Sequence, residues 1–425
     1  MRPIAISILT ALLVAACLAA PATTSPSPRP SGGTATPSAS PAATPVPTPS
    51  ATTPAASPSA PVIGEAPAGS WSALRWLGAG ALPLTTTEVT VRGWSGGYVA
   101  FEQSPGSDEN GNDLPVVIRA TSSTDGLHWS APTTLKTDFK GSYQISSIVE
   151  GPGGLLALGY PYGDTCGGPS SVFALWSSAD GRSWERLTMP KAFIANRVQT
   201  ISGGRAGFIA FGTKADGPTP AIWTSTNGRA WTSRALPVLS SGKLALDAAV
   251  SFDSGYVLLG AVLGEEGCGG PAHVKPAVWF STDGSSWTRA NLPGALKDPT
   301  ANLTIRSFGD RVLVMQVPQG DVSTAPAWTS TDGLTWSSAG VISPDVVWGP
   351  ISDGRHAVMI VSPESGVGLP SVTGVDGSGA SVVLRQDGDE PLLSEDVPGY
   401  AYAVGPTGLL AVRYDGGASW LGLPS

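Results

Sequence analysis

Ser123-Thr124-Asp125-Gly126-Leu127-His128-Trp129 is the stretch whose reading decides the fold. The pattern Ser-x-Asp/Asn-Gly-x-x-Trp returns at residues 178–184, 225–231, 281–287 and 330–336. Its acidic or amide position (Asp125, Asp180, Asn227, Asp283, Asp332) recurs about every 47 to 56 residues, the spacing of a propeller blade. Each residue type has a task in a tight turn. Asp or Asn caps backbone N–H groups with its side chain. Gly supplies the positive φ that a Cβ would oppose, and Ser adds a second local hydrogen bond. The Trp opens the next strand and is expected to bury a large apolar face. The last four turns are each preceded by a β-rich run with its own Trp: Leu175-Trp176, Ile222-Trp223, Val278-Trp279 and Ala327-Trp328. The unit is strand, capped turn, strand. One such hairpin is too small to be stable alone, so stacked copies must supply the core.

Working outward, a Gly-marked apolar run precedes each unit. The cores are Gly97-Tyr98-Val99-Ala100-Phe101, Gly154-Leu155-Leu156-Ala157-Leu158, Gly207-Phe208-Ile209-Ala210-Phe211 and Gly255-Tyr256-Val257-Leu258-Leu259. Arg311-Val312-Leu313-Val314-Met315, His356-Ala357-Val358-Met359-Ile360 and Gly408-Leu409-Leu410-Ala411-Val412 bring the total to seven. Such runs fit inner strands buried on both faces. The sixth copy of the turn is degenerate, Gln386-Asp387-Gly388. The seventh unit runs out of chain after Gly417-Ala418-Ser419-Trp420-Leu421. Gly69-Ser70-Trp71-Ser72-Ala73-Leu74 resembles the strand that follows the turns. The N-terminal strand is therefore expected to close the last blade, removing two open edges. The fold class is all-β, a seven-bladed β-propeller over residues 69–425.

Composition agrees with short strands and tight turns: of 425 residues, 54 are Gly and 39 Pro, and 13% are charged. Residues 1–16 read as a signal peptide, with Arg2 before an apolar run too short to span a bilayer. Val14-Ala15-Ala16-Cys17 resembles a bacterial lipobox, which makes Cys17 the lipidated N-terminus after cleavage and a membrane a partner through that anchor. Residues 17–68 continue as a Pro/Ser/Thr/Ala-rich stretch with no aromatic residue, expected to be a disordered tether reaching roughly 150 Å where extended. The protein is expected on the outer face of the cytoplasmic membrane, or as a periplasmic or outer-membrane lipoprotein in a two-membrane cell. Residues 69–425 hold all but one of the 32 acids and all but two of the 24 bases, a net of about −9. That excludes nucleic acid as a partner on electrostatic grounds.

The five turns resemble the Asp boxes, or BNR repeats, of the sialidase-like propellers. The resemblance implies the fold and little chemistry, because the same repeat occurs in sialidases, glucan hydrolases, sortilin-type receptors and a photosystem assembly factor. A sialidase would need an arginine cluster for its substrate carboxylate, a Tyr nucleophile paired with a Glu, an Asp acid/base and an Arg-Ile-Pro motif. The corresponding stretch reads Leu74-Arg75-Trp76-Leu77. Arg92, Arg197 and Arg306 fall singly in first strands, and Tyr160 and Tyr162 precede Asp164 without a Glu at family spacing. Glu265, Glu266, Asp298, Glu395 and Asp396 are loop acids, so no catalytic residue is assigned.

The loops between second and third strands should form the ligand face, and Asp108, Asn110, Asp113, Tyr162, Asp164, Glu265, Glu266 and His273 are its candidate residues. Residues 108–113 place oxygen ligands at alternate positions, a weak calcium signal that lacks the distal Glu because Arg119 stands there; no other cofactor or metal is expected. Cys166 and Cys268 lie in matching Cys-Gly-Gly-Pro loops of the second and fourth units. Outside the cell they are expected to pair. Free thiols, an intermolecular bridge or a metal site with His273 are the rivals. The leading expectation is a non-catalytic, surface-displayed binding or assembly module for an envelope protein, peptide or glycan, with a monomeric propeller. The alternative is an extracellular glycoside hydrolase of the sialidase-like superfamily.

Overall fold

The structure, a computed structural model, describes residues 73–84, 89–104, 114–135, 137, 143–161, 173–214, 217, 219–263, 274–293, 303–308, 310–316, 325–342, 346–352, 357–361, 371–375, 381–386, 400–413 and 419–424. They belong to one compact unit, Pro58–Ser425; a separate unit, Met1–Ser57, lies outside the described residues, and with it Cys17.

After β1 (Ala73–Gly80), the first sheet runs β2 (Val89–Trp94), β3 (Gly97–Gln103), β4 (Ile118–Ser123) and β5 (Thr133–Leu135), each antiparallel to the last. The second repeats this with β6 (Tyr143–Gly151), β7 (Gly154–Pro161), β8 (Ala174–Ser178) and β9 (Glu185–Arg186). A single turn of helix, α1 (Lys191–Ile194), leads into β10 (Asn196–Gly204), β11 (Gly207–Lys214), β12 (Pro220–Ser225) and β13 (Thr232–Arg234). The fourth sheet is β14 (Lys243–Phe252), β15 (Gly255–Leu263), β16 (Val274–Ser281) and β17 (Thr288–Ala290). The fifth is β18 (Leu303–Phe308), β19 (Arg311–Gln316), β20 (Ala325–Ser330) and β21 (Ser337–Ile342).

The sixth sheet has eight strands. From one end it holds β22 (Val346–Ser352), β23 (Ala357–Val361), β24 (Ser371–Val375) and β25 (Ser381–Gln386), then β1, and beyond it β28 (Ser419–Pro424), β27 (Gly408–Arg413) and β26 (Tyr400–Gly405). The expectation of seven separate blades is thereby corrected to six sheets. The physical reason is β1, which uses both edges. It pairs antiparallel with β28, Leu74 opposite Pro424 and Leu77 opposite Leu421, and parallel with β25, Ala73 opposite Arg385 and Leu74 opposite Gln386. The closing strand extends beyond residue 74, because its register with β28 runs from Leu74 to Gly80.

First strands touch one another in the order β2, β6, β10, β14, β18, β22, β26 and back to β2, which closes a β-propeller around its axis. The two ends of the eight-stranded sheet, β22 and β26, meet there, so that sheet is bent back on itself. Second strands are buried on both faces, as the apolar runs dictate: Val99, Ala100, Leu158, Ile209, Leu258 and Val314 have no accessible surface. Tryptophans of the third strands, Trp176, Trp223, Trp279 and Trp328, fill the space between sheets at 1–2% exposure.

Candidate functional site

The recurring turn forms by the same hydrogen bonds in all five copies. In the first, Gly126 N donates to Ser123 Oγ (2.8 Å), while Leu127 N and His128 N donate to Asp125 Oδ1 (2.9 and 2.8 Å). Asn227 does the same with its amide oxygen, accepting from Arg229 N and Ala230 N at 2.9 and 3.0 Å. Every turn glycine has positive φ, from +70° to +82°. Each also packs on the preceding sheet: a Cβ on Gly228 would lie 2.6 Å from Leu156, and one on Gly333 would lie 2.3 Å from the Phe280 ring. The turns are thus wedges between sheets. Partial burial works against the Asp125 carboxylate, but the N–H groups of His128 and Leu127, the His128 ring and the Ser123 hydroxyl hold it well below the usual range. Asp283 is lowered to about 2 by the Ser286 and Ser285 N–H groups and the Ser281 hydroxyl. These acids are occupied in holding turns, so they are structural.

The Trp after each of the first four turns is less buried than expected. Trp129, Trp184, Trp231 and Trp287 are only half-buried; Trp336 alone is buried, at 7%. Each indole N–H has a hydrogen-bond acceptor, whether the ring is buried or not. Trp184, Trp231 and Trp336 donate to the carbonyl of their own turn glycine, at 2.9–3.1 Å. Trp287 instead reaches the Ala235 carbonyl at 2.8 Å, and Trp129 reaches Ser419 Oγ at 3.0 Å.

The axial strands carry the polar groups that could meet a ligand at the centre. Bulges interrupt β6, β10 and β14 at corresponding places, at Ser146, Gln199 and Asp247. Asp247 stands in the run Leu244-Ala245-Leu246-Asp247-Ala248-Ala249 and keeps accessible surface, yet surrounding protein desolvates it and pushes its carboxyl pKa up. Arg306, on the next axial strand, shows the mirror behaviour: desolvation pushes its guanidinium pKa down although the side chain is accessible. It donates to the Ile305 carbonyl at 2.8 Å. Asp247 and Arg306 were not singled out together from sequence. A lone acid in an apolar first strand was the available signal. Arg92, Arg197 and Arg306 do fall on first strands, β2, β10 and β18, but these alternate with β6 and β14 around the axis.

A second concavity lies away from the axis, between the third and fourth sheets. It is a cleft of about 330 Å³ floored by Trp279 and walled by Trp287, Leu239, Val262 and Arg289. Val238, on the segment joining β13 to β14, is 98% exposed at its edge. Arg289 has no carboxylate partner among the described residues.

Of the ligand-face residues expected from sequence, Asp108, Asn110, Asp113, Tyr162, Asp164, Glu265, Glu266 and His273 lie outside the described residues, as do Cys166, Cys268, Asp298, Glu395 and Asp396. Arg119, which stands where a calcium loop would need its distal acid, is on β4 opposite Glu102 and 2.5 Å from that buried carboxylate. Among the described residues no three His, Cys, Asp or Glu side chains cluster as a metal site, and no helix is long and apolar enough to cross a membrane.

No family model and no curated protein matches the chain. Solved structures similar to it include the β-propeller domain of the Trilobed protease from Pyrococcus furiosus, at 10% identity and TM-score 0.43, covering 78% of this chain and 91% of that one. The six-bladed fucose-binding lectin from Aleuria aurantia is similar at 12% identity and TM-score 0.38, covering 70% and 94%. A protein of unknown function from Dyadobacter fermentans is similar at 13% identity and TM-score 0.37, covering 83% and 99%.

Proposed function

We propose that this chain is a surface-displayed, lipid-anchored binding module of the Asp-box type, non-catalytic, with a protein, peptide or glycan as ligand. The observation that carries this reading is the cleft at Trp279, Trp287 and Arg289. The half-buried Trp287, the Arg289 guanidinium, which has no carboxylate partner among the described residues, and the exposed Val238 edge on a sheet scaffold suit a recognition site. Five turns with one hydrogen-bond pattern support kinship with Asp-box propellers. The lipobox-like stretch supports lipidation at Cys17, anchoring outside the cell and, in that oxidising setting, a Cys166–Cys268 disulfide.

A second reading, an extracellular glycosidase, is favoured by one observation: Asp247 sits on an axial strand beside that of Arg306, and desolvation pushes its carboxyl pKa up, the direction a general acid needs. One experiment separates the two. The purified full chain is offered chromogenic glycosides, then glycan and peptide arrays. Retention of a ligand without turnover is the expected result. Turnover that Asp247→Asn abolishes, while the melting curve stays unchanged, would replace the binding module with the hydrolase.

A further inference from the structure

The first strands place side chains around the axis at matching levels, counted in pairs from the hairpin that joins each first strand to its second. Thr90 opposite Phe101, Ser147 opposite Leu158, Thr200 opposite Phe211 and Thr304 opposite Met315 stand at one such level. On β14 that level is held by Ala248, opposite Leu259, and the bulge residue Asp247 lies next to it. Side chains at this level meet across neighbouring sheets: Ser147 Oγ and Thr200 Oγ1 share a hydrogen bond of 3.0 Å. The axis therefore carries an arc of hydroxyls on β2, β6, β10 and β18, and Asp247 stands in it on β14.

Arg306 enters the same arc from β18, the neighbour of β14. Its backbone lies nearer the hairpin, opposite Leu313, but the guanidinium turns back along the strand. Nη1 donates to Thr304 Oγ1 at 3.3 Å and to the Ile305 carbonyl at 2.8 Å. That leaves the Nε and Nη2 edge, a pair of parallel donors suited to a carboxylate, without a partner among the described residues. The Asp247 carboxylate likewise has no hydrogen-bond donor and no cation among the described residues. Water reaches both side chains although protein surrounds them, which is the condition of groups lining a concavity. Desolvation alone moves each pKa, Asp247 up and Arg306 down, so neither charge neutralises the other. A charge stripped of water is costly until a counter-charge meets it.

We infer that this axial arc binds a free α-amino acid, with its carboxylate on the open edge of Arg306, its ammonium on Asp247, and the Thr304 hydroxyl beside them. An amino acid carries both counter-charges on one carbon, so one small ligand satisfies two groups on neighbouring strands. A simple anion would meet Arg306 and leave Asp247 unpaired, and a simple cation would do the reverse. The planar fork of the guanidinium, already fixed at Nη1, suits a planar carboxylate. This inference goes beyond the binding-module reading and does not depend on the cleft at Trp287.

The test uses the full chain and isothermal titration calorimetry with each common L-amino acid in turn, then with the N-acetyl and carboxamide forms of whichever binds. Binding of at least one amino acid is expected, with a loss of at least about tenfold in affinity for either capped form. Asp247→Asn should weaken the free amino acid by about tenfold and leave the N-acetyl form, which has no ammonium, unchanged. Arg306→Gln should weaken the free amino acid as much and leave the carboxamide form unchanged. No binding of any amino acid up to millimolar concentration overturns the inference. Equal affinity for free and capped forms overturns it as well, and that comparison needs only the parent chain, so it stands even where a variant fails to fold. Glycoside turnover that Asp247→Asn abolishes would assign this carboxyl to chemistry and overturn the inference too.

Discussion

At the scale of single residues the protein is held by five carboxylate or amide caps, and four of them titrate. Asp180 is lowered first by the Ser183 N–H, and Asp332 is lowered by the Thr335 and Leu334 N–H groups against the opposing effect of burial. Asp125 and Asp283 are lowered as well. A carboxylate whose pKa drops on folding binds fewer protons in the native state, so it stabilises above its unfolded value, about 3.9. That stabilisation fades as pH falls towards the native value, about 2 for Asp283. The Asp283 turn is therefore expected to weaken on acidification between about pH 4 and pH 2, and the other three weaken in the same direction as pH falls below the ordinary carboxylate range. Asn227 shows that an amide satisfies the same N–H groups without titrating. Asp180→Asn combined with Asp332→Asn should flatten the acid limb of a melting-temperature profile while lowering the neutral-pH value slightly. An acid limb as steep as that of the parent chain would show that the turn carboxylates do not set it.

At the scale of elements, β1 is the piece whose removal has the widest effect, because it satisfies two edges at once. Without it, the outer backbone groups of β28 and β25 would be exposed, and an unpaired strand edge is a template for another chain. Excising residues 73–80 is expected to produce concentration-dependent oligomers, seen by size exclusion with light scattering, where the intact chain runs as one species. A monomeric excision variant would mean that the two edges are covered some other way. Much of the element plan was legible beforehand. The apolar second strands announced themselves because both faces are buried and alternation is lost, and the turns did so because Ser, Asp and Gly are each needed at a fixed offset. The parallel β1–β25 pairing was not legible. It depends on which side of β1 a distant strand reaches, and no local pattern in Ala73-Leu74 or Arg385-Gln386 encodes that. The half-exposure of the Trp after the first four turns was not legible either: Trp336 makes the same bond to its turn glycine as Trp184 and Trp231 do, yet it is buried, so no local pattern separates them.

At the scale of the whole molecule, the site was harder to read than the ring. The cleft is lined by residues of the segment joining β13 to β14 and of β15, β16 and β17, far apart in the chain, and no local pattern marks them as neighbours. Asp247 carried one local signal, a lone acid in an apolar run, and the bulge at which it stands depends on its pairing with β15. The ring itself closes through specific bonds as well as apolar packing. Tyr98 of the first sheet is fully buried against Ala403, Leu410 and Leu421 of the last, and its hydroxyl donates to the Gly408 carbonyl at 2.8 Å, beside Thr407 Oγ1 at 3.0 Å. Tyr256 repeats the device one half-ring away, donating to the Ala206 carbonyl at 2.8 Å. Tyr98→Phe keeps the ring in place and removes only the hydroxyl, so it should cost about 1–2 kcal/mol, the range for losing one buried hydrogen bond and leaving its acceptor short. If every sheet leans on the one before it through turn glycines and these tyrosines, the loss must be shared by the entire propeller. Urea unfolding of Tyr98→Phe should then show one transition with an unchanged slope and a lower midpoint, whether followed by Trp fluorescence or by far-ultraviolet circular dichroism. Two separated transitions would mean that the joint between first and last sheets is a weak seam, and that the ring unfolds from it.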